Sequence, residues 1–164
     1  MKTKFKLILI AAYFLAIFNP LSAQVSGDDY RKSVLELIPD VNLENKILFI
    51  NVWQSSNIES RENNKEFLRV SNIYKGAKLK NGLKGVVYVN LSIDKDTYLW
   101  MMSIKRDGIV SDYNLENTTG KFDVLSKLFG DFTGSVVVGS DGTIIAKDVK
   151  QDKCFPLFLS LITR

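Results

Sequence analysis

Two runs constrain this chain more than any other feature: residues 46–53, KILFINVW, and residues 86–93, VVYVNLSI. Neither run alternates as a half-exposed strand would, and both are too short for a buried helix. They therefore read as strands covered on both faces, the second rich in β-branched residues. Between them, residues 59 to about 75 place Phe67, Val70 and Tyr74 on one helical stripe and Arg61, Lys65 and Arg69 on another. A strand, a helix of that length and a second buried strand close as a right-handed crossover, which makes the two strands parallel.

The flanking segments extend this unit. Upstream, DDYRKSVLELIPD (28–40) spaces Tyr30, Val34, Leu37 and Ile38 as an amphipathic helix, with two aspartates in its first turn and Pro39 beyond its end. Downstream, DKDTYLWMMSIKRDG (94–108) predicts a helix capped by Asp94 or Asp96 and stopped by Gly108. Leu99, Trp100 and Ile104 are its expected buried face, with Met101 and Met102 as packing residues. TTGKFDVLSKLFG (118–130) predicts another helix, with Phe122, Leu125 and Phe129 three and four apart. SVVVGSDGTIIAK (135–147) predicts two short antiparallel strands around Ser140-Asp141-Gly142. DKCFPLFLSLIT (152–163) predicts a terminal helix starting near Pro156 and covering the sheet. The order helix, β, α, β, α, α, β, β, α describes an α/β sandwich, a mixed sheet of four or five strands with helices on both faces.

The N-terminus reads as an export signal. Lys2, Lys4 and Lys6 precede twelve apolar or aromatic residues (7–18), Asn19-Pro20 and the small-residue stretch Leu21-Ser22-Ala23, so cleavage is expected after Ala23. Twelve residues fall short of the roughly 20 that span a bilayer, so membrane contact is expected only through this segment before cleavage. The expected organisation is a signal peptide over 1–23, an N-terminal helical extension over 24–39 and one domain over 40–164, delivered to the periplasm or secreted. Removing 1–23 from a chain of net charge +4 removes three lysines and no acid, leaving 19 basic against 18 acidic residues and a net +1. So balanced a chain offers nothing to nucleic acid or an anionic surface. It has one cysteine, Cys154, and no histidine. That removes an internal disulfide, the commonest general base and the commonest metal ligand together. Asp94 and Asp96 flank a lysine without further oxygen donors, so no metal and no cofactor is expected.

The stretches ILFINVW, VVYVNLSIDKDTYLWMMSIKRDG and SVVVGSDGTIIAK carry a resemblance that runs from about residue 40 to the C-terminus. The chain resembles the thioredoxin-like proteins of the bacterial envelope, especially the TlpA-like and peroxiredoxin-related (AhpC/TSA, redoxin) branch. The resemblance implies a thioredoxin-like three-layer sandwich and aligns the family's W-x-x-x-C-x-x-C and following basic residue with WQSSNIESR. Trp53 and Arg61 match, but Asn57 stands at the first cysteine position and Ser60 at the second. The family's cis-proline position falls at Thr133, and Pro20, Pro39 and Pro156 are the chain's only prolines. Disulfide exchange needs a thiolate to attack sulfur, which neither Asn57 nor Ser60 supplies.

Ser56 and Glu59 fit S-x-x-E, a capping box that would keep the helix start while the redox couple is absent. A serine nucleophile would need an adjacent base, and no histidine exists to serve. The expected function is an exported thioredoxin-like domain with a degenerate active site, acting as a non-catalytic binding or scaffolding module of the envelope. Its protein or peptide partner would meet the loop of Gln54, Ser55, Ser56, Asn57, Ile58 and Glu59 beside Thr133. The alternative is a thiol-linked oxidoreductase acting through Cys154, by a mixed disulfide or an intermolecular dimer; otherwise Cys154 is a half-buried structural cysteine. Peroxide reduction would need a cysteine at the start of the first domain helix, where this chain has none.

Overall fold

The computed structural model describes residues 25–117, 128, 129 and 133–162. Helix α1 spans Gly27–Leu37, β1 Ile47–Trp53, α2 Ile58–Tyr74, β2 Val86–Ser92, α3 Thr97–Asp107, β3 Tyr113–Leu115, β4 Gly134–Val138, β5 Ile144–Lys147 and α4 Gln151–Ser160. The five strands form one sheet in the order β3-β2-β1-β4-β5. β1 runs parallel to β2 and antiparallel to β4, and β4 is antiparallel to β5. The crossover pair and the hairpin are thus oriented as the sequence predicts, in a thioredoxin-like α/β sandwich.

Every residue of β1 and β2 is buried, as two apolar runs without alternation require. The two faces of β1 feed two cores. Leu48, Ile50 and Val52 face α1 and its Tyr30 and Val34. Ile47 and Phe49 face α2 and α4, where the Phe49 ring lies 5.1, 5.2 and 5.3 Å from those of Phe67, Tyr88 and Phe158. Tilted aromatic contacts of this kind add to the burial of large apolar area.

The helix expected as an N-terminal extension packs into the same core. Arg31 pins it, donating to the carbonyls of Leu43 at 2.7 Å, Gly139 at 3.1 Å and Lys46 at 3.2 Å. Burial pulls the Arg31 guanidinium below its ordinary pKa, opposed by Asp28 and Asp141. At the start of α1, a Cβ on Gly27 would fall 2.1 Å from the Gly142 carbonyl oxygen, so only glycine lets the helix sit against the β4-β5 turn.

Several expectations need correction. The sheet has five strands, within the expected four or five, but the expected element order left no place for β3, which pairs parallel to β2 at the sheet edge; its three half-buried residues left no apolar run to read. The terminal helix starts at Gln151 rather than near Pro156, with Lys153 and Cys154 N–H groups donating to the Lys150 carbonyl. Pro156 sits inside it on the solvent side, where water can satisfy the carbonyl one turn back, while Cys154 and Phe158 hold the inner stripe. Cys154 is fully buried, not half-buried. Leu99, Met101 and Met102 are exposed, and Ser103 is the buried residue of α3, because that helix lies at the margin of the sheet layer. The helix expected over 118–130 falls outside the described residues apart from Leu128 and Phe129; Phe129 is buried edge-on against Tyr30 at 5.2 Å. Among the described residues, no helix is long and apolar enough to cross a membrane.

Replacing Arg31 with alanine leaves three carbonyls without their charged donor. Urea unfolding should show a loss of about 2–4 kcal/mol, with an unchanged slope.

Candidate functional site

The exit of β1 is stitched to the exit of β2. The Trp53 side chain is fully buried, and its carbonyl accepts from the Ile93 N–H at 2.9 Å. One residue further on, the Asp94 carboxylate accepts from the Ser55 N–H at 3.0 Å, the Ser55 hydroxyl at 2.7 Å and the Ser92 hydroxyl at 2.5 Å. Asp94 is therefore a loop clasp, and the cap of α3 is Asp96, which accepts from Tyr98 and Leu99 N–H groups. The clasp buries Ser55, so this member of the expected partner-binding loop is withdrawn from solvent. Gln54 is half-buried, and Ser56, Asn57, Ile58 and Glu59 are exposed.

The helix start differs from the expected capping box. Asn57, in extended conformation, is the N-cap of α2, and its Oδ1 accepts from the Ser60 N–H at 2.9 Å. The chain enters the helix one residue later than a Ser56 cap would require. Ser60 turns inward, and its hydroxyl oxygen accepts from the Gln54 N–H at 3.0 Å. Glu59 turns outward and accepts from Lys150 Nζ at 3.1 Å. Both residues at the resembled cysteine positions thus satisfy backbone donors at a helix start, a role Asn and Ser perform well.

One turn along, Arg61 binds Asp107 of α3 with two hydrogen bonds, Nε at 2.6 Å and a second guanidinium nitrogen at 2.5 Å. The Arg61 hydrogen bond, opposed by burial, holds the Asp107 carboxyl below its ordinary range. This pair fixes α2 against α3 beside the loop.

A cleft of about 320 Å³ opens between the start of α2, the start of β4 and the link from β5 to α4. It brings together Asn57, Ser60 and Thr133, while Trp53 lies outside its lining. Its floor includes Asn51 and Ser135, which sequence reasoning did not single out. Asn51 belongs to a buried polar row across three strands: its Nδ2 donates to Asn90 Oδ1 at 3.2 Å, and Asn90 Nδ2 donates to Asn114 Oδ1 at 2.9 Å. The available signal was a single asparagine at the same place in each apolar run, Asn51 in ILFINVW and Asn90 in VVYVNLS, which the parallel register makes neighbours.

Chemically the cleft offers hydroxyls, amides and three charged groups: Glu59 and Lys150, which are ion-paired to each other, and the Asp148 carboxylate. Among the described residues none of the three is hydrogen-bonded to the Ser60 hydroxyl to serve as its base. Among the described residues, no three carboxylate or thiol groups gather as metal ligands. Cys154 lies on α4 against the aromatic core, outside the cleft lining. Burial, with Glu66 adding and Arg69 opposing, pushes its thiol up to about 12. Its thiolate fraction at neutral pH is correspondingly minute.

Two measurements follow from this geometry. Iodoacetamide should alkylate Cys154 in the native protein at least a hundredfold more slowly than in urea. A native rate equal to that of free cysteine would contradict the buried thiol. Asp107 contributes stability above the ordinary carboxylate range, lost as pH falls through its lowered folded pKa. Asp107→Asn should therefore cost about 2 kcal/mol at neutral pH and flatten the acid limb of the stability curve.

No protein-family model matches the chain, and no curated protein matches it. Solved structures do. A thioredoxin-like protein from Parabacteroides distasonis is 19% identical with a TM-score of 0.57, covering 72% of this chain and 83% of its own. The thioredoxin domain of a thiol-disulfide oxidoreductase from Bacteroides vulgatus is 20% identical with a TM-score of 0.59, covering 73% and 81%. A secreted disulfide oxidoreductase from Mycobacterium tuberculosis is 14% identical with a TM-score of 0.53, covering 73% and 84%. At such identities the likeness is one of architecture: this chain has the thioredoxin-like fold.

Proposed function

We propose that this chain is an exported thioredoxin-like protein that binds a protein or peptide partner at the α2 cleft and does not exchange disulfides. The observation that carries the reading is the meeting of Asn57, Ser60 and Thr133 in one cleft. These are the positions at which the resembled family holds its two cysteines and its proline. Asn57 and Ser60 serve the helix start through their own hydrogen bonds, so the surface persists without sulfur. Ile58, exposed at the tip, offers a partner an apolar contact. Export is supported by the cationic, apolar and small-residue pattern of residues 1–23 and by the secreted fold neighbour. The alternative through Cys154 is weakened by the burial of its thiol.

Two experiments test the reading. A photo-crosslinking residue at Ile58 should trap a discrete partner in the native cell envelope, and the same residue at exposed Lys105 should not. Equal trapping at both positions, or none at Ile58, sinks the proposal. In parallel, the protein should reduce insulin with dithiothreitol no faster than the reagent alone. Asn57→Cys combined with Ser60→Cys should form an internal disulfide on oxidation, with the residue-57 thiol below the ordinary cysteine pKa at the helix start. Failure to form that bond would refute the assignment of the two positions.

A further inference from the structure

The floor of the cleft holds polar groups that a simple surface groove does not require. Asn51, Ser60 and Ser135 are only 3%, 7% and 3% exposed, and they come from β1, α2 and β4. Each spends only part of its hydrogen-bonding capacity inside the protein. Ser60 and Ser135 accept from the N–H groups of Gln54 and Val149, at 3.0 and 2.9 Å, and neither hydroxyl donates to an acceptor among the described residues. Asn51 donates to Asn90, and its own carbonyl oxygen accepts no donor among the described residues. The floor thus presents two neutral donors and one neutral acceptor. Buried polar groups normally find partners, so the best-fitting ligand supplies both an acceptor and a donor.

Charge narrows the choice. Glu59 and Lys150 neutralise each other at the rim, which leaves Asp148 as a lining carboxylate without an ion pair to any described residue. An anionic group would enter beside Asp148, and Lys150, the cation among the described lining residues, is already paired with Glu59. A cationic group would meet Asp148 and the Asn51 carbonyl oxygen but would leave both hydroxyl hydrogens without an acceptor. An apolar group would leave the spare hydroxyl hydrogens of Ser60 and Ser135 and the Asn51 carbonyl oxygen unpaired. A carboxamide is neutral, accepts through its oxygen and donates through its nitrogen.

We propose that the cleft reads a carboxamide side chain, Gln or Asn, on an extended peptide segment of the partner. This rests on the reading of the cleft as a peptide-binding surface and names the side chain that surface selects.

The test uses a blocked seven-residue peptide in extended-favouring sequence, with Gln, Asn, Leu, Glu or Lys at the central position, titrated into the isotopically labelled protein and followed by amide chemical shifts. The Gln and Asn peptides should shift the Ser60 and Ser135 resonances and bind at least tenfold more tightly than the other three, since a site with hydrogen-bonding groups to satisfy discriminates strongly against ligands that leave them unpaired. Ser60→Ala combined with Ser135→Ala should reduce the Gln-to-Leu ratio below threefold. The ratio among peptides on the unaltered protein stands alone if that variant fails to fold. Equal binding of all five peptides in the cleft overturns the carboxamide inference and leaves the peptide-binding reading intact. Binding of none also overturns it, and the Ile58 crosslinking result then decides the broader reading separately.

Discussion

The burial of β1 on both faces is the constraint from which the rest of the structure follows. A strand whose alternate residues all need cover must lie inside a sheet, with helices above and below. Leu48, Ile50 and Val52 require α1 on one side; Ile47 and Phe49 require α2 and α4 on the other. With both faces occupied, β1 can meet solvent only at its ends. The proposed binding surface lies at the C-terminal end of β1, where the chain emerges between two other strands and turns into α2.

That emergence is held by polar contacts because apolar packing ends there. Asp94 gathers Ser55 and Ser92 across the two parallel strand exits, and Asn57 receives the first turn of α2. Arg61 and Asp107 then lock α2 to α3. Buried networks of this kind rigidify when every member is satisfied. The clasp and cap hold the backbone of the loop, leaving the side chains of Ser56, Ile58 and Glu59 outside it. The cleft beside the loop, by contrast, retains donors and an acceptor that no described residue satisfies.

Much of the architecture was legible in the chain because burial leaves a periodic trace. The unbroken apolar runs and the helical stripe of Phe67, Val70 and Tyr74 carry the parallel crossover, and Asp141-Gly142 carries the hairpin. What escaped had no periodic trace. β3 is three half-buried residues stabilised by pairing to β2, and the exposure of Leu99 and Met101 reflects where α3 sits on the sheet rather than its composition. The helix start was legible as a cap but misplaced by one residue, because Ser56 and Asn57 are both competent caps and the inward turn of Ser60 selects between them.

By itself the sequence determined the two-sided strands, the helix between them, the absence of histidine and the absence of sulfur at Asn57 and Ser60. These are properties of residue identity and spacing. Only the tertiary structure decided that Asn57, Ser60 and Thr133 share a cleft, that Asn51 and Ser135 form its floor, and that the Cys154 thiol is sealed in the aromatic core. These are contacts between residues up to more than seventy positions apart in the chain, and a group's accessibility, partners and protonation depend on those neighbours rather than on its own identity.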